Sequence, residues 1–375
     1  MASGNVIETK VAVVGAGPAG LSAAGKIADL GGEVTVFDEN SRPGGQLFKQ
    51  IHKFFGSSKH GAGERGIHIG QQLLDECKEK GVNIYLNSIV YGIFPGNQLG
   101  VLINGKSVLV KTEKILIATG ATEKAVVFEG WDKPGVMGAG AFQTMMNVQY
   151  VLPGKNVLIV GSGNVGLVIA YQILQAGGSV AAVVEAGPSI GGYQVHADKL
   201  KRQGVEILTS WSVKRAIGNN CVEQAEIARV DSRLRFVEGT ERILDVDCIC
   251  LAVGLTPSVE LLKMAGVKMT YLPAAGGFIP LHNEYLQTSD PSIYVAGDSS
   301  GIEEASSAME EGRLSAVAIA EAIGCIDKDG RDLAVKEEQE RLSALRQGKG
   351  GAVRKEYNYE IVRRYREWEK TGVIQ

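Results

Sequence analysis

The chain has 375 residues, is 45% hydrophobic, contains 49 glycines and carries a formal net charge of -3, the profile of a globular enzyme with length for about two domains. A mildly acidic balance argues against nucleic-acid binding. Residues 1–10 hold no apolar signal stretch and no run approaches about 18 apolar residues, so neither secretion nor a membrane span is expected and the cytoplasm is the expected compartment.

In chain order, the β-branched run 11–14 feeds a glycine-rich turn, Gly15-Ala-Gly17-Pro18-Ala19-Gly20, which opens an apolar helix over 21–30. Strand, turn and helix in this order set a helix N-terminus and its partial positive charge against a diphosphate. Gly15 makes the tight turn, Gly17 lets backbone approach the pyrophosphate, and Gly20 lets the helix pack on the strand. The next strand ends in the acids Asp38 and Glu39. A helical pattern over 66–80 leads to a short strand at 82–86. Strand-like pieces near 90–94, 100–103 and 107–111 suggest a β-meander, and an apolar strand from 114 stops at Thr119 and Gly120.

The order then repeats. Residues 157–160 feed Gly161-Ser-Gly163-Asn164-Val-Gly166 and a helix over 167–175. The strand 180–185 ends in Glu185, 205–208 forms another, three strand-like runs lie between 212 and 237, and 248–253 stops at Gly254. This repetition predicts an α/β fold of two Rossmann-like domains, each with a β-meander. A third segment, 292–298 with Gly297 and Asp298, followed by an apolar helical pattern over 305–323, belongs to neither repeat. It is expected to complete the first domain, which makes the second an insertion. The expected boundaries are 1–122 with 283–325 for the first domain and 123–282 for the second, with 326–375 as a tail.

Five cysteines, Cys77, Cys221, Cys248, Cys250 and Cys325, form no framework. Cys248 and Cys250 alternate within one apolar strand, where a spacing of two puts both side chains on one face and favours packing over redox or metal chemistry. No metal site is expected. His52, His60 and His68 share no metal spacing, and a catalytic role for them, for Lys49 or for Lys53 is not favoured. Glu303, Glu304, Glu310 and Glu311 read as solvated or as helix-start acids. In the tail, 336–346 is charged and helical in pattern, 347–351 breaks it, and 357–368 mixes Tyr357, Tyr359, Tyr365 and Trp368 with charges. That mixture suits either an interface or packing back on the first domain.

The ordered set of motifs at 15–20, 36–39, 44–46, 118–120, 161–166, 252–257 and 296–298 resembles the flavoprotein disulfide-reductase-like oxidoreductases. The resemblance implies that the first glycine frame (Gly15, Gly17, Pro18, Ala19, Gly20) holds the FAD pyrophosphate and that Asp38, beside Glu39, binds the adenosine ribose. It further implies that Gly45 and Gln46 run beside the flavin, near Thr119 and Gly120. Gly297 and Asp298 would meet the ribityl and diphosphate end, and the helix opening near Ala305 would point at the flavin N1/O2 edge, where reduction gathers negative charge. Gly161, Gly163, Asn164, Gly166, Glu185 and Gly254 would hold NAD. Glu185 suits a ribose 2′-hydroxyl and residues 186–192 offer no arginine for a 2′-phosphate, so NADH is expected over NADPH.

The runs 134–144 and 44–56 more narrowly resemble the FAD/NAD subunit of heteromeric amine dehydrogenases: hydrogen cyanide synthase, opine oxidases, multi-subunit proline dehydrogenases and sarcosine oxidase. This implies two kinds of partner: a second flavin-containing dehydrogenase subunit, and a ferredoxin-like or 2Fe-2S protein. Many such relatives carry a cysteine-rich extension after the last helix, whereas 326–375 holds no cysteine, so an iron-sulfur link is expected on another polypeptide. Dithiol chemistry of the thioredoxin reductase kind is disfavoured, because 39–76 and 121–153 contain no cysteine. Two other readings stand beside the complex: a self-contained NADH:ferredoxin or NADH:quinone reductase, and a scaffold subunit whose nucleotides are structural.

Overall fold

The computed structural model describes residues 6–54 and 57–374, the side chains of 348–350 excepted. Phe55 and Gly56, the end of the 44–56 run, lie outside the described residues. The chain divides into two compact units, Met1–Thr122 with Thr256–Gln375, and Glu123–Leu255.

In the first unit, a seven-stranded sheet has the order Asn83–Tyr85, Val34–Phe37, Val6–Val14, Lys106–Ile117, Gln98–Ile103, Ser88–Phe94, and Ile293–Val295 also pairs with Lys106–Ile117. Val13 lies opposite Val36 and Leu116 in parallel register, and Tyr294 opposite Leu116. Lys106–Ile117 is long enough to run antiparallel to Gln98–Ile103 through its first half while parallel to Val6–Val14, so one strand joins the meander to the parallel sheet. Alternation decides the two cores: Val11 and Val13 pack under the helices, Ala12 and Val14 against the opposite face. The return of 292–298 to this sheet, read from the sequence, is what the pairing of Ile293–Val295 shows.

The helix Pro18–Asp29 lies against Ala305–Ala322 at small residues. A Cβ added to Gly312 would stand 2.1 Å from the Ala19 carbonyl oxygen, and one on Gly20 would stand 1.9 Å from that of Gly15. Gly20→Ala is therefore expected to cost about 3 kcal/mol or more through forced backbone shifts, read as a lowered thermal midpoint; an unchanged midpoint would refute the packing role.

The second unit has a five-stranded parallel sheet, in the order Ile207–Thr209, Ser179–Glu185, Asn156–Val160, Cys248–Leu251, Val136–Gly138, and a three-stranded antiparallel sheet of Trp211–Ile217, Gln224–Arg229 and Arg242–Asp245. The third meander strand was expected before 237. It forms later because the Asp231 carboxylate accepts from the backbone N–H of Arg233 at 2.8 Å and of Arg235 at 2.9 Å, closing a turn there. The 134–144 run supplies the edge strand Val136–Gly138 and the helix Ala139–Asn147.

The unit boundary falls at 255/256 and not at 282/283. Val259, Leu262 and Val267 are buried with Leu99, Val101 and Ile115 of the first unit's sheet, so the apolar side of the short helix Glu260–Met264 assigns this stretch to the first unit. The tail also packs there. Helices Lys328–Leu345 and Gly348–Thr371 bury Val335 and Leu342 in one cluster, and Tyr357 and Ile361 with Ala275 and Ile279 in another. Tyr365 is buried as well, while Tyr359 is exposed. Among the described residues no helix is long and apolar enough to cross a membrane.

Candidate functional site

The first glycine frame is built by two different demands. Gly15 has φ +108°, and a Cβ there would stand 2.3 Å from the Ala118 carbonyl oxygen; Gly20 is fixed by its contact with Gly15. Gly17 is different. Its φ of -76° suits any residue, and an added Cβ would meet nothing closer than Gly45 Cα at 3.9 Å. No intramolecular contact requires glycine at 17, which leaves an open backbone surface at the N-cap of Pro18–Asp29, where no side chain caps the helix.

The acid that ends the neighbouring strand closes the frame. Gly15 N donates to Phe37 O at 2.8 Å, and buried Asp38 accepts Ala16 N at 2.6 Å on one oxygen and the backbone and side-chain N–H of Asn40 at 2.8 and 3.0 Å on the other. A carboxylate offers about four acceptor positions, so one remains. Gly44 N donates to Ala16 O at 2.7 Å. Gly45, at φ +52°, would bring a Cβ within 2.9 Å of Gly17 Cα, so the 44–45 turn lies on the frame. Glu39 and Gln46 are exposed beside it.

The second frame repeats this bond for bond. Gly161 N donates to Val184 O at 2.8 Å and Gly192 N to Ser162 O at 2.8 Å. Glu185 accepts Ser162 N at 2.9 Å and Ser162 Oγ at 2.7 Å on one oxygen and Gly187 N at 2.8 Å on the other. Gly161 and Gly166 are packing glycines, each with an added Cβ 2.2 Å from a carbonyl oxygen, whereas one on Gly163 would meet nothing within 4 Å. Gly163 caps Asn164–Gln175 with φ -63°. Glu185 lies 24 residues after Gly161 where Asp38 lies 23 after Gly15, and a bulge between Val180 and Ala182 absorbs the extra residue. Asn164 Oδ1 accepts Tyr193 N at 2.8 Å. Gly254, at φ +109°, accepts Lys124 N at 3.0 Å at the unit's edge.

Gly191 and Gly192 were missed in the sequence. They lie in the loop that corresponds to that of Gly44 and Gly45, with Gly192 making the bond that Gly44 makes in the first frame, and the signal was a glycine pair shortly after each strand-end acid. Ser162 was also missed: its hydroxyl accepts from Gly191 N at 3.0 Å while donating to Glu185.

Gly297 and Asp298 join the first frame. Gly297 has φ +71°, and a Cβ there would stand 3.0 Å from Ala19 Cβ. Asp298 Oδ1 accepts Glu303 N at 3.0 Å. Burial raises the Asp298 carboxyl to about 6, against the pull of the Glu303 N–H. Buried Ser299 receives Gly120 N at 3.3 Å, and Thr119 Oγ1 donates to Ser258 O at 2.8 Å, so the end of the 114–120 strand meets the same turn. Ala305 opens the following helix, whose N-cap Glu304 makes no side-chain cap bond.

Of the four glutamates read as solvated or helix-start acids, Glu304 is exposed at the N-cap, whereas Glu303, Glu310 and Glu311 are not solvated. Glu311 is buried, with Oε2 accepting Gly297 N at 3.0 Å and Ser300 Oγ at 2.9 Å. Burial pushes its carboxyl up to about 7 despite the nearby Arg346. The Glu303 side chain is 1% exposed against Arg346. Glu310, fully buried, holds His60 Nε2 at 2.7 Å, Arg313 at 2.5 Å and Arg341 at 3.2 Å. Each of these acids has cations or N–H donors from distant segments, which an isolated helical pattern cannot reveal. His60 is thus a structural residue bound to Glu310, His68 lies exposed 3.7 Å from Glu64, and His52 stacks on Phe54.

All five cysteines are free. Burial pushes the Cys77 thiol up to about 11 and Cys248 to about 12, and raises Cys250 as well. None of the three is a thiolate near neutral pH.

The sequence pattern described as pyridine nucleotide-disulphide oxidoreductase matches residues 9–312. An opine oxidase subunit of Agrobacterium tumefaciens (strain Ach5) is 30% identical over 328 residues, covering 82% of this chain and 64% of that protein. Hydrogen cyanide synthase subunit HcnB of Pseudomonas aeruginosa is 30% identical over 334 residues, covering 82% and 70%. The chain thus spans about two thirds of the length of these relatives. The solved T. acidophilum thioredoxin reductase shares the fold with a TM-score of 0.69 at 21% identity, covering 84% of this chain and 99% of that one. Because the matched pattern runs through both glycine frames and the Gly297–Asp298 turn, the chain belongs to the pyridine nucleotide-disulphide oxidoreductase family and is a flavin-dependent oxidoreductase.

Proposed function

We propose that this chain is the FAD- and NAD(H)-binding subunit of a heteromeric amine or amino-acid dehydrogenase. It passes hydride equivalents between nicotinamide and flavin while a second flavin-containing subunit works on the C–N bond and a ferredoxin-like or 2Fe-2S protein provides a further electron exit. The observation that carries the reading is the pair Gly17 and Gly163. Each stands at an uncapped helix N-terminus beside a strand-end carboxylate, with no packing or backbone reason to be glycine, as expected where a ligand's diphosphate approaches the backbone.

The redox chemistry comes from the flavin and nicotinamide when bound. The chain's residues bind and orient. The first-frame amides and helix N-terminus take one diphosphate, Asp38 has one acceptor position left for a ribose hydroxyl, and Gly45 and Asp298 flank the flavin end. The second frame and Glu185 do the same for NAD. The three buried thiols supply no dithiol relay, and the relatives are named as subunits, which favours electron exit to a partner over a self-contained disulfide reductase.

The purified chain is expected to reduce a dye with NADH and to leave amines and imino acids untouched; co-expression with its chromosomal neighbours should add amine-dependent NAD reduction. If the lone chain oxidises a small amine at the rate of any complex, the partner reading fails. If it neither binds flavin nor oxidises NADH, the redox reading fails too.

A further inference from the structure

The proposed flavin-binding frame is held from behind by the C-terminal segment. Arg346, 12% exposed at the end of helix Lys328–Leu345, reaches two buried carboxylates. Its guanidinium bonds Glu303 at 2.8 and 3.1 Å and also pairs with Glu311 Oε1. The other oxygen of Glu311 holds Gly297 N and Ser300 Oγ, and the backbone N–H of Glu303 holds Asp298. Tyr357 and Asn358 close the cluster, donating to Glu303 Oε1 at 3.2 Å each. The single Tyr357 hydroxyl proton is shared with Ile302 O, 3.1 Å from the same oxygen. Gly301, at φ +148°, leaves room for the Tyr357 ring, which an added Cβ would approach to 3.0 Å.

One cation therefore stands between two acids that both grip the 297–304 turn. Without it, two buried carboxylates would face each other with no cation between them, and either would move toward water and carry the turn with it. We infer that Arg346 is a positioning residue for the flavin, acting through Glu311 and Glu303 on Gly297 and Asp298, and that the segment 326–375 is a working part of the first nucleotide site. This rests on the flavin reading above.

The test uses the full chain, freed of flavin and titrated with FAD, for the wild type, Arg346→Lys and Arg346→Met, with the visible spectrum of bound flavin and the NADH dissociation constant measured alongside. Arg346→Met should weaken FAD binding by about tenfold or more and alter the vibronic shape of the flavin band, because the support of the site is loosened. Arg346→Lys, which keeps the charge but loses the two-sided fork, should fall between it and the wild type. NADH binding, served by the second unit, should stay within about twofold. Wild-type FAD affinity and an unchanged spectrum in Arg346→Met would overturn the inference. Should that variant not fold, the same result in Arg346→Lys would overturn it. A wild-type chain that binds no FAD would instead refute the flavin reading.

Discussion

Gly17→Val is expected to give a folded, colourless protein. Most glycine substitutions in such a frame confound folding with binding, as Gly20→Ala would, because the new Cβ meets a carbonyl oxygen at 1.9 Å. At Gly17 the two effects separate. The backbone is already in an ordinary region, and the nearest atom to an added Cβ is 3.9 Å away, so the valine methyl groups occupy space that the protein leaves empty. A pyrophosphate held by the first-turn N–H groups would occupy that space, and its displacement should raise the FAD dissociation constant by roughly 100-fold, equivalent to about 2.7 kcal/mol. The thermal midpoint of the flavin-free protein should match that of flavin-free wild type. Stoichiometric flavin in the variant would sink the assignment of this frame, and loss of fold would show that Gly17 has a packing role after all.

Glu185 should set the choice of nicotinamide cofactor. Wild type is expected to favour NADH, with Glu185→Gln and Glu185→Ala narrowing the NADH over NADPH ratio by about 10- to 100-fold, the scale of a charge-assisted hydrogen bond lost to NADH and a repulsion removed from NADPH. The two variants are not equivalent. Glu185 also holds Ser162 and Gly187, so alanine should loosen the loop and weaken both cofactors, while glutamine keeps an acceptor and changes mainly the ratio. Steady-state kinetics with both cofactors decides it: a wild type preferring NADPH, or a ratio unmoved in Glu185→Gln, would show that this carboxylate serves the loop alone.

The sequence by itself determined the parts that local chemistry dictates. Strand, glycine turn and helix were legible at 11–30 and at 157–175, because φ near +108° at Gly15 and +107° at Gly161 and the close contacts of Gly20 and Gly166 leave few other residue choices. Asp38 and Glu185 were legible as strand-end acids. Only the tertiary structure showed that a bulge after Val180 brings Glu185 into the register of Asp38, since an unpaired strand has no register. Only it drew the boundary at 256, where Val259 and Leu262 become recognisable as core once the sheet face they cover is present. The same holds for Glu303 and Glu311, which read as solvated acids until Arg346 arrives from 43 and 35 residues further along the chain. Turns and glycine contacts are decided within a few residues, whereas burial and charge pairing depend on segments that only folding brings together.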